Sequence, residues 1–246
     1  MGNRMFQYAF GKILSFKKQE LLYCPPLYVF KNIKEENINI PPGFNILYTR
    51  QFGDHFIDIN ILLNTKKSIV VNSFLQKIEY YKDSIDILRE CFKIDNNIKV
   101  DENELVIHIR DGDYRMGNVH IRDQTYINIL EKISPSKISI VTDNINTDFI
   151  KYMTKNGAKL ITLSNDTNVG EGFNQHEMYD FLYMLNSNQL LISQSTYSWW
   201  AAFLGFQKKI YVPYDTKNKG MWEINPGSND VDLIPPNDEK FIKVII

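Results

Sequence analysis

Between residues 105 and 212, short apolar runs alternate with amphipathic stretches, and no other feature restricts the fold of this chain so tightly. Leu105–Arg110, opened by Leu105-Val106-Ile107, and Lys137–Thr142, Lys159–Leu163, Leu190-Leu191-Ile192 and Ile210-Tyr211-Val212 suit buried strands, because they are too short to be helices. Between them, four stretches carry helical periodicity. They are Gln124–Ile133, a segment capped by Asn146 or Thr147 and ended by Gly157, Glu177–Asn186, and Thr196–Leu204 closed by Gly205. Strand–helix alternation at this interval predicts an α/β fold with a doubly wound parallel sheet. A polar stretch, Asn165–Gln175, containing Gly170-Glu171-Gly172, is expected to be a mobile loop.

The first hundred residues read less regularly. Met5, Phe6, Ala9, Phe10, Ile13 and Leu14 recur at helical spacing, preceded by Gly2-Asn3 as turn and cap. A Gly-Asn pair in that place can present bare N–H groups to an anion. An α/β domain would place a strand before this loop, so the first domain is expected to lack its first strand. Residues 21–47 are broken by Pro25-Pro26 and Pro41-Pro42 and predict loops with one or two strands; Phe56–Leu63 predicts a short helix. Ser68–Leu75 predicts a strand and Gln76–Phe92 an amphipathic helix built on Ile78, Tyr81, Ile85, Leu88 and Phe92. Asp95-Asn96-Asn97 is a polar break. It separates an N-terminal domain, residues 1–100, from a C-terminal domain, residues 101–246.

Polar residues gather where the predicted strands end. His108-Ile109-Arg110-Asp111-Gly112-Asp113-Tyr114 follows the first strand of the regular half, and in open α/β sheets ligands bind at that edge. Of the 28 Lys plus Arg, six are Arg, and Arg110, Arg115 and Arg122 lie within this short span. Concentrated Arg points to planar, bidentate recognition, for which phosphate is the commonest partner. Thr142-Asp143 and Gln194-Ser195-Thr196 end two other strands, the latter opening a helix whose dipole favours an anion. Capping alone would also account for Ser195 or Thr196. Asp180 flanks its helix away from the Met178/Leu182/Leu185 stripe, where it either accepts hydrogen bonds from a base such as guanine or is a solvated acid.

Bulk properties exclude several classes. A formal net charge of −1 argues against broad nucleic-acid binding. Cys24 and Cys91 make neither a disulfide framework nor a metal cluster, and fit buried thiols in a reducing cytoplasm. No signal peptide or membrane-spanning run is present in the sequence. His108 and His120 do not have zinc-ligand spacing, and no P-loop, G-x-G-x-x-G or G-x-S-x-G occurs. Asp111-Gly112-Asp113 and Asp230-Val231-Asp232 fit the D-x-D pattern with which many glycosyltransferases hold a divalent metal.

Taken together the motifs resemble the bacterial α-1,2-fucosyltransferases, glycosyltransferase family 11. Residues 2–11, Gly2-Asn3-Arg4-Met5-Phe6-Gln7-Tyr8-Ala9-Phe10-Gly11, are similar to the family opening G-N-Q-M-F-Q-Y-A-F-G. His108–Tyr114 resembles H-I-R-R-G-D-Y, and Ile140-Val141-Thr142-Asp143-Asn144 resembles a strand ending in S-D-D. Ser195–Ala202 resembles N-S-T-F-S-W-W-A-A, and Ser73–Tyr81 a weaker family stretch. The resemblance implies a GT-B-type fold with two Rossmann-like halves, the first on the acceptor side and the second binding a GDP-sugar. It implies transfer of L-fucose from GDP-fucose to the 2-hydroxyl of a galactoside or glycolipid acceptor in surface glycan synthesis, with inversion and without metal. Arg110 would bind the β-phosphate and stabilise the leaving group. The acceptor hydroxyl needs a proton acceptor, and Asp113, a carboxylate beside that Arg, either takes this role or holds the Arg110 loop. Gly2, Asn3, His108, Asp143, Asp180, Ser195 and Thr196 would contact the donor. The expected location is the cytoplasm, with peripheral attachment to the inner membrane face as a variant.

Of the departures from the family patterns three matter most: Asp111 stands for the second Arg, Gln194 for Asn, and the strand expected before Gly2 is not in the sequence. They keep two alternatives open. One is a metal-dependent GT-A-type enzyme using Asp111 and Asp113; the other is a GDP-sugar-binding protein with impaired catalysis.

Overall fold

The computed structural model describes residues 1–24, 27, 30, 33, 45–94, 98–112, 114, 120–162, 175–214 and 231–245. Asp113, Arg115, Asp230, Pro25-Pro26, Pro41-Pro42 and residues 165–174 of the expected mobile loop therefore lie outside the described residues. The chain divides into two compact units, Met1–Ile94 with Met221–Pro235, and Asp95–Gly220 with Pro236–Ile246. No helix among the described residues is long and apolar enough to cross a membrane.

In the first unit, α1 (Gly2–Lys18) begins earlier than its apolar periodicity: Met1 is the N-cap, and Gly2 and Asn3 lie in the first turn. Its apolar stripe of Met5, Phe6, Ala9, Phe10, Ile13 and Leu14 is buried. Phe6 and Phe10 pack on Tyr81 and Tyr80 with ring centroids 5.3 Å and 5.1 Å apart. A parallel pair, β1 (Ile46–Tyr48) and β2 (Ser68–Val70), and a short helix α2 (Ile59–Asn64) accompany it. The strand expected to reach Leu75 stops at Val70, because the Thr49 hydroxyl takes over as acceptor for the N–H groups of Asn72 and Ser73 at 2.9 Å and 3.1 Å.

The continuous helix expected over Gln76–Phe92 is also corrected. Two 3₁₀ turns, Ile78–Tyr80 and Lys82–Ser84, precede α3 (Ile85–Cys91). Leu75 has φ 54°, and Lys77 makes a parallel bridge to Asp232, with Ile78 N–H donating to the Asp232 carbonyl at 2.6 Å. That strand-like pairing excludes α-helix there. Tyr80 and Tyr81 are both buried, and a single helical stripe seldom buries adjacent residues. Instead their hydroxyls anchor the turn, Tyr81 donating to the Leu75 carbonyl at 2.8 Å and Tyr80 to the Ile57 carbonyl at 2.8 Å.

The second unit is an all-parallel sheet of six strands. They are β3 (Glu104–Ile109), β4 (Lys137–Thr142), β5 (Lys159–Leu160), β6 (Gln189–Leu191), β7 (Lys209–Tyr214) and β8 (Phe241–Ile245). Their order is β5-β4-β3-β6-β7-β8, so the winding reverses between β3 and β6. This is the doubly wound, Rossmann-type arrangement, in which the crevice at the reversal is the natural ligand site. Helices α4 (Asp123–Ile133), α5 (Asp148–Lys155), α6 (Gln175–Leu185) and α7 (Thr196–Leu204) make the crossovers. The predicted helix cap is Thr147, whose hydroxyl accepts the Ile150 N–H at 3.2 Å.

Alternation along β3 assigns the faces. Leu105, Ile107 and Ile109 share a core with Tyr126 and Ile129 of α4 and Phe149, Ile150 and Met153 of α5. Glu104 and His108 point the other way, Glu104 accepting from Tyr183 of α6 at 3.0 Å and His108 packing on Tyr197 of α7 at 5.6 Å. Every residue of β3 is buried, as expected for a strand covered on both sides.

Helix α7 fixes the far wall of the crevice. Trp199, Trp200, Ala201 and Ala202 are fully buried, and Trp199 stacks on Phe203 at 4.8 Å. Deleting a buried Trp of this kind costs about 3–5 kcal/mol, so the orientation of the helix is strongly held. At its C-terminus Gln207 Nε2 donates to the carbonyls of Met184 and Ala201 at 2.9 Å and 3.2 Å, satisfying the ends of α6 and α7 together. Gly205 is required by space rather than by conformation, since a Cβ there would lie 2.7 Å from the Leu185 carbonyl oxygen.

Candidate active site

The register that aligns Ile109 with Thr142 brings Arg110 level with Asp143 as the two strands leave the sheet. Arg110 Nη1 lies 3.1 Å from Asp143 Oδ2, with the Arg side chain 33% exposed. A pair so placed contributes only about 0–1 kcal/mol to stability, so its consequence is orientation of the guanidinium. The other oxygen, Asp143 Oδ1, accepts the N–H groups of Asp111 at 2.8 Å and Gly112 at 3.4 Å. One carboxylate thus binds both the side chain and the backbone of the loop after β3. Gly112 is needed for this approach, because a Cβ there would sit 2.7 Å from Asp143 Oδ2. The guanidinium also lies over the Tyr114 ring, 5.4 Å from its centroid.

Across the winding reversal, His108 Nδ1 is 2.6 Å from the Ser193 hydroxyl, which joins the ends of β3 and β6. His108 is buried, and its desolvation, followed by the charge of Arg110, lowers its pKa to about 3. The imidazole is therefore neutral at neutral pH. Two residues beyond Ser193, Ser195 caps α7, its hydroxyl accepting the Tyr197 N–H at 3.3 Å. Thr196 is the first residue of that helix and is half-buried. The remaining N–H groups of the first turn and the helix dipole favour an anion at this end of the sheet.

On the other side of β3, Thr142 N–H donates to the Thr162 hydroxyl at 2.9 Å, and that hydroxyl donates to Asp180 Oδ2 at 2.8 Å. Asp180 is 7% exposed and is therefore not a solvated acid. Its Oδ1 is buried without a hydrogen-bond partner among the described residues. Desolvation raises its pKa to about 7, with the Thr162 bond opposing and the charge of Glu177 adding. A buried acceptor left unpaired costs about 1–3 kcal/mol, and a bound ligand, ion or water would complete its bonding.

The structure therefore gathers His108, Arg110, Asp143, Asp180, Ser195 and Thr196 within the second unit, at the carboxyl ends of its strands and the helices that follow. Gly2 and Asn3 belong to the first unit, where Asn3 Oδ1 accepts from Gln76 Nε2 at 2.9 Å. Asp113 is outside the described residues. Asp111, raised above as a metal ligand, is buried, and its Oδ2 accepts from Asn144 Nδ2 at 3.1 Å. Among the described residues no group of three or more His, Cys, Asp or Glu could hold a metal ion. Sequence reasoning did not single out Ser193 or Thr162; each follows an apolar run by a step or two, a strand-end position that is visible only once the pairing is known.

An arginine and a helix N-terminus at the reversal of a doubly wound parallel sheet define a class, the α/β proteins that bind anionic ligands at a switch point. Comparison with known proteins narrows this. Residues 50–224 match the family described as Glycosyl transferase family 11, and the chain belongs to that family. It is 24% identical over 249 residues to an alpha-1,2-colitosyltransferase of Escherichia coli, an alignment covering 83% of this chain and 84% of that protein. The protein is a glycosyltransferase.

Proposed function

We propose that this enzyme transfers L-fucose from GDP-fucose to the 2-hydroxyl of a galactoside, with inversion and without a metal ion. The observation that carries the reading is Arg110, oriented by Asp143 at the end of β3 on the reversal of the sheet. As the bond from the sugar to the diphosphate breaks, negative charge grows on GDP and positive charge on the sugar ring. A guanidinium fixed beforehand stabilises the leaving diphosphate without reorganising, and the dipole of α7, with Ser195 and Thr196, adds to it. Asp180 Oδ1, buried and unpaired among the described residues, is suited to accept from the N–H edge of guanine, and the His108 ring, neutral and packed on Tyr197, would contact the donor as well. In this reading Asp143 acts on the donor through Arg110. Asp113 takes the proton from the acceptor hydroxyl as it attacks.

A second reading keeps the site and changes the sugar. The similarity to an alpha-1,2-colitosyltransferase favours colitose as the transferred residue. Incubation with GDP-fucose or GDP-colitose and a panel of β-galactosides, followed by NMR of the products, tests both. An α-1,2 linkage formed from GDP-fucose in preference to GDP-colitose supports the first reading, and the reverse preference supports the second. Absence of transfer from either donor to any galactoside contradicts both.

A further inference from the structure

Asp111 is the residue of the Arg110 loop that this chemistry would least favour, a carboxylate beside the arginine that receives a diphosphate. It cannot turn into solvent, being 3% exposed. Its Oδ2 accepts from Asn144 Nδ2 at 3.1 Å, while its own N–H donates to Asp143 Oδ1 at 2.8 Å. The amide of Asn144 is itself oriented: Oδ1 accepts the Asn146 N–H at 3.2 Å, which leaves Nδ2 as the group turned to Asp111. The Asn144 backbone N–H donates to the Thr142 hydroxyl, also at 3.2 Å, so the end of β4 sets where the amide stands.

We propose that Asn144 is a positioning residue for Arg110, acting through Asp111 and Asp143; the proposal rests on Arg110 binding the diphosphate. The chain of contacts runs Asn144 to Asp111, Asp111 N–H to Asp143, and Asp143 to the Arg110 guanidinium. A neutral donor at 144 is one group that stabilises the buried carboxylate at 111. An acid at 144 would set a half-buried carboxylate against the buried one of Asp111, and like charges at that separation repel. Displacement of Asp111 relieves that repulsion. Its backbone N–H shares the Asp143 carboxylate with Arg110, so that movement misplaces the guanidinium. Exchanging amide and acid between the two positions keeps one donor, one acceptor and the same net charge, and so keeps the loop.

The test is GDP binding by calorimetry on the full chain, with thermal melting to follow folding. Asn144→Asp is expected to weaken GDP binding roughly tenfold or more, and the double variant Asp111→Asn/Asn144→Asp to restore it to within about threefold, as coupled neighbours do. An Asn144→Asp variant that binds like the wild type overturns the proposal, as does a folded double variant that stays weak. If Asn144→Asp does not fold while the double variant folds and binds, the coupling is upheld. If neither folds, Asn144→Ala decides: it removes the donor without adding charge, weaker binding supports the proposal, and binding equal to wild type overturns it. Failure of the wild-type chain to bind GDP at all would instead contradict the reading of Arg110 on which the proposal rests.

Discussion

Asp143 meets three groups of the loop that follows β3, the guanidinium of Arg110 and the backbone N–H groups of Asp111 and Gly112. That arrangement makes the residue scale unusually sensitive to small changes. Gly112→Ala places a Cβ at 2.7 Å from Asp143 Oδ2, and the half-buried carboxylate must rotate off Arg110. We expect the KM for the sugar nucleotide to rise about tenfold or more, since misplacing a binding group by an ångström has effects of that order. Melting should change little, because the ion pair is partly exposed and contributes at most about 1 kcal/mol. A large loss of stability with an unaltered KM would show that the loop is merely packed, and not poised to bind. Both Asp111 and Asn144 differ from the H-I-R-R-G-D-Y and S-D-D patterns that the chain resembles. Their contact in the structure explains how both departures can stand together.

At the scale of elements, the bond between His108 and Ser193 joins the two strands that flank the reversal. Ser193→Ala leaves a buried ring nitrogen without its partner and should destabilise the protein by about 1–3 kcal/mol, measured by chemical denaturation. A change within experimental error would mean that the bond is not formed in solution. The strands β3 and β6 are legible in the sequence because parallel strands covered on both faces carry short apolar runs, Leu105-Val106-Ile107 and Leu190-Leu191-Ile192. Strand β4 is legible from its Ile138, Ile140 and Val141 despite Ser139. Helix α7 is legible for a different reason: Ser195 and Gly205 bracket it. Strand β8 is not, since Lys243 interrupts the apolar residues of Phe241–Ile245 and its edge position depends on pairing with β7. The segment over residues 76–92 misleads because three- and four-residue spacing suits successive 3₁₀ turns as well as one α-helix. Site residues were readable where they stood at strand ends in unusual composition, as Arg110 does. Thr162 and Ser193 were hidden, because one hydroxyl after an apolar run carries no signal until neighbouring strands are known.

Considered as a whole molecule, the chain carries two buried titrating groups with opposed effects on stability. His108 titrates near 3 in the folded protein against 6.5 as its ordinary value, so stability present above pH 6.5 is lost as pH falls toward 3. Asp180 titrates near 7 against an ordinary 3.8, so its contribution favours the folded state in acid and is lost as pH rises toward 7. Each slope is about 1.4 kcal/mol per pH unit at most, and over the shared range they cancel. Asp180→Asn should therefore expose a fall in stability on acidification from about pH 6 to about pH 4, and should be more stable than wild type near pH 8. Parallel profiles for the two proteins would contradict the burial of this carboxylate. The same substitution should remove the part of GDP affinity that rises through neutral pH; persistence of that rise in Asp180→Asn would assign it to the diphosphate. The central claim is that Arg110 stabilises the departing diphosphate, and the direct measurement is kcat for sugar transfer from GDP-fucose by Arg110→Ala, with Arg110→Lys beside it. The account predicts a fall of about 10²–10³ for alanine and only partial recovery with lysine, which keeps the charge but not the planar fork. Wild-type kcat in Arg110→Ala would contradict it.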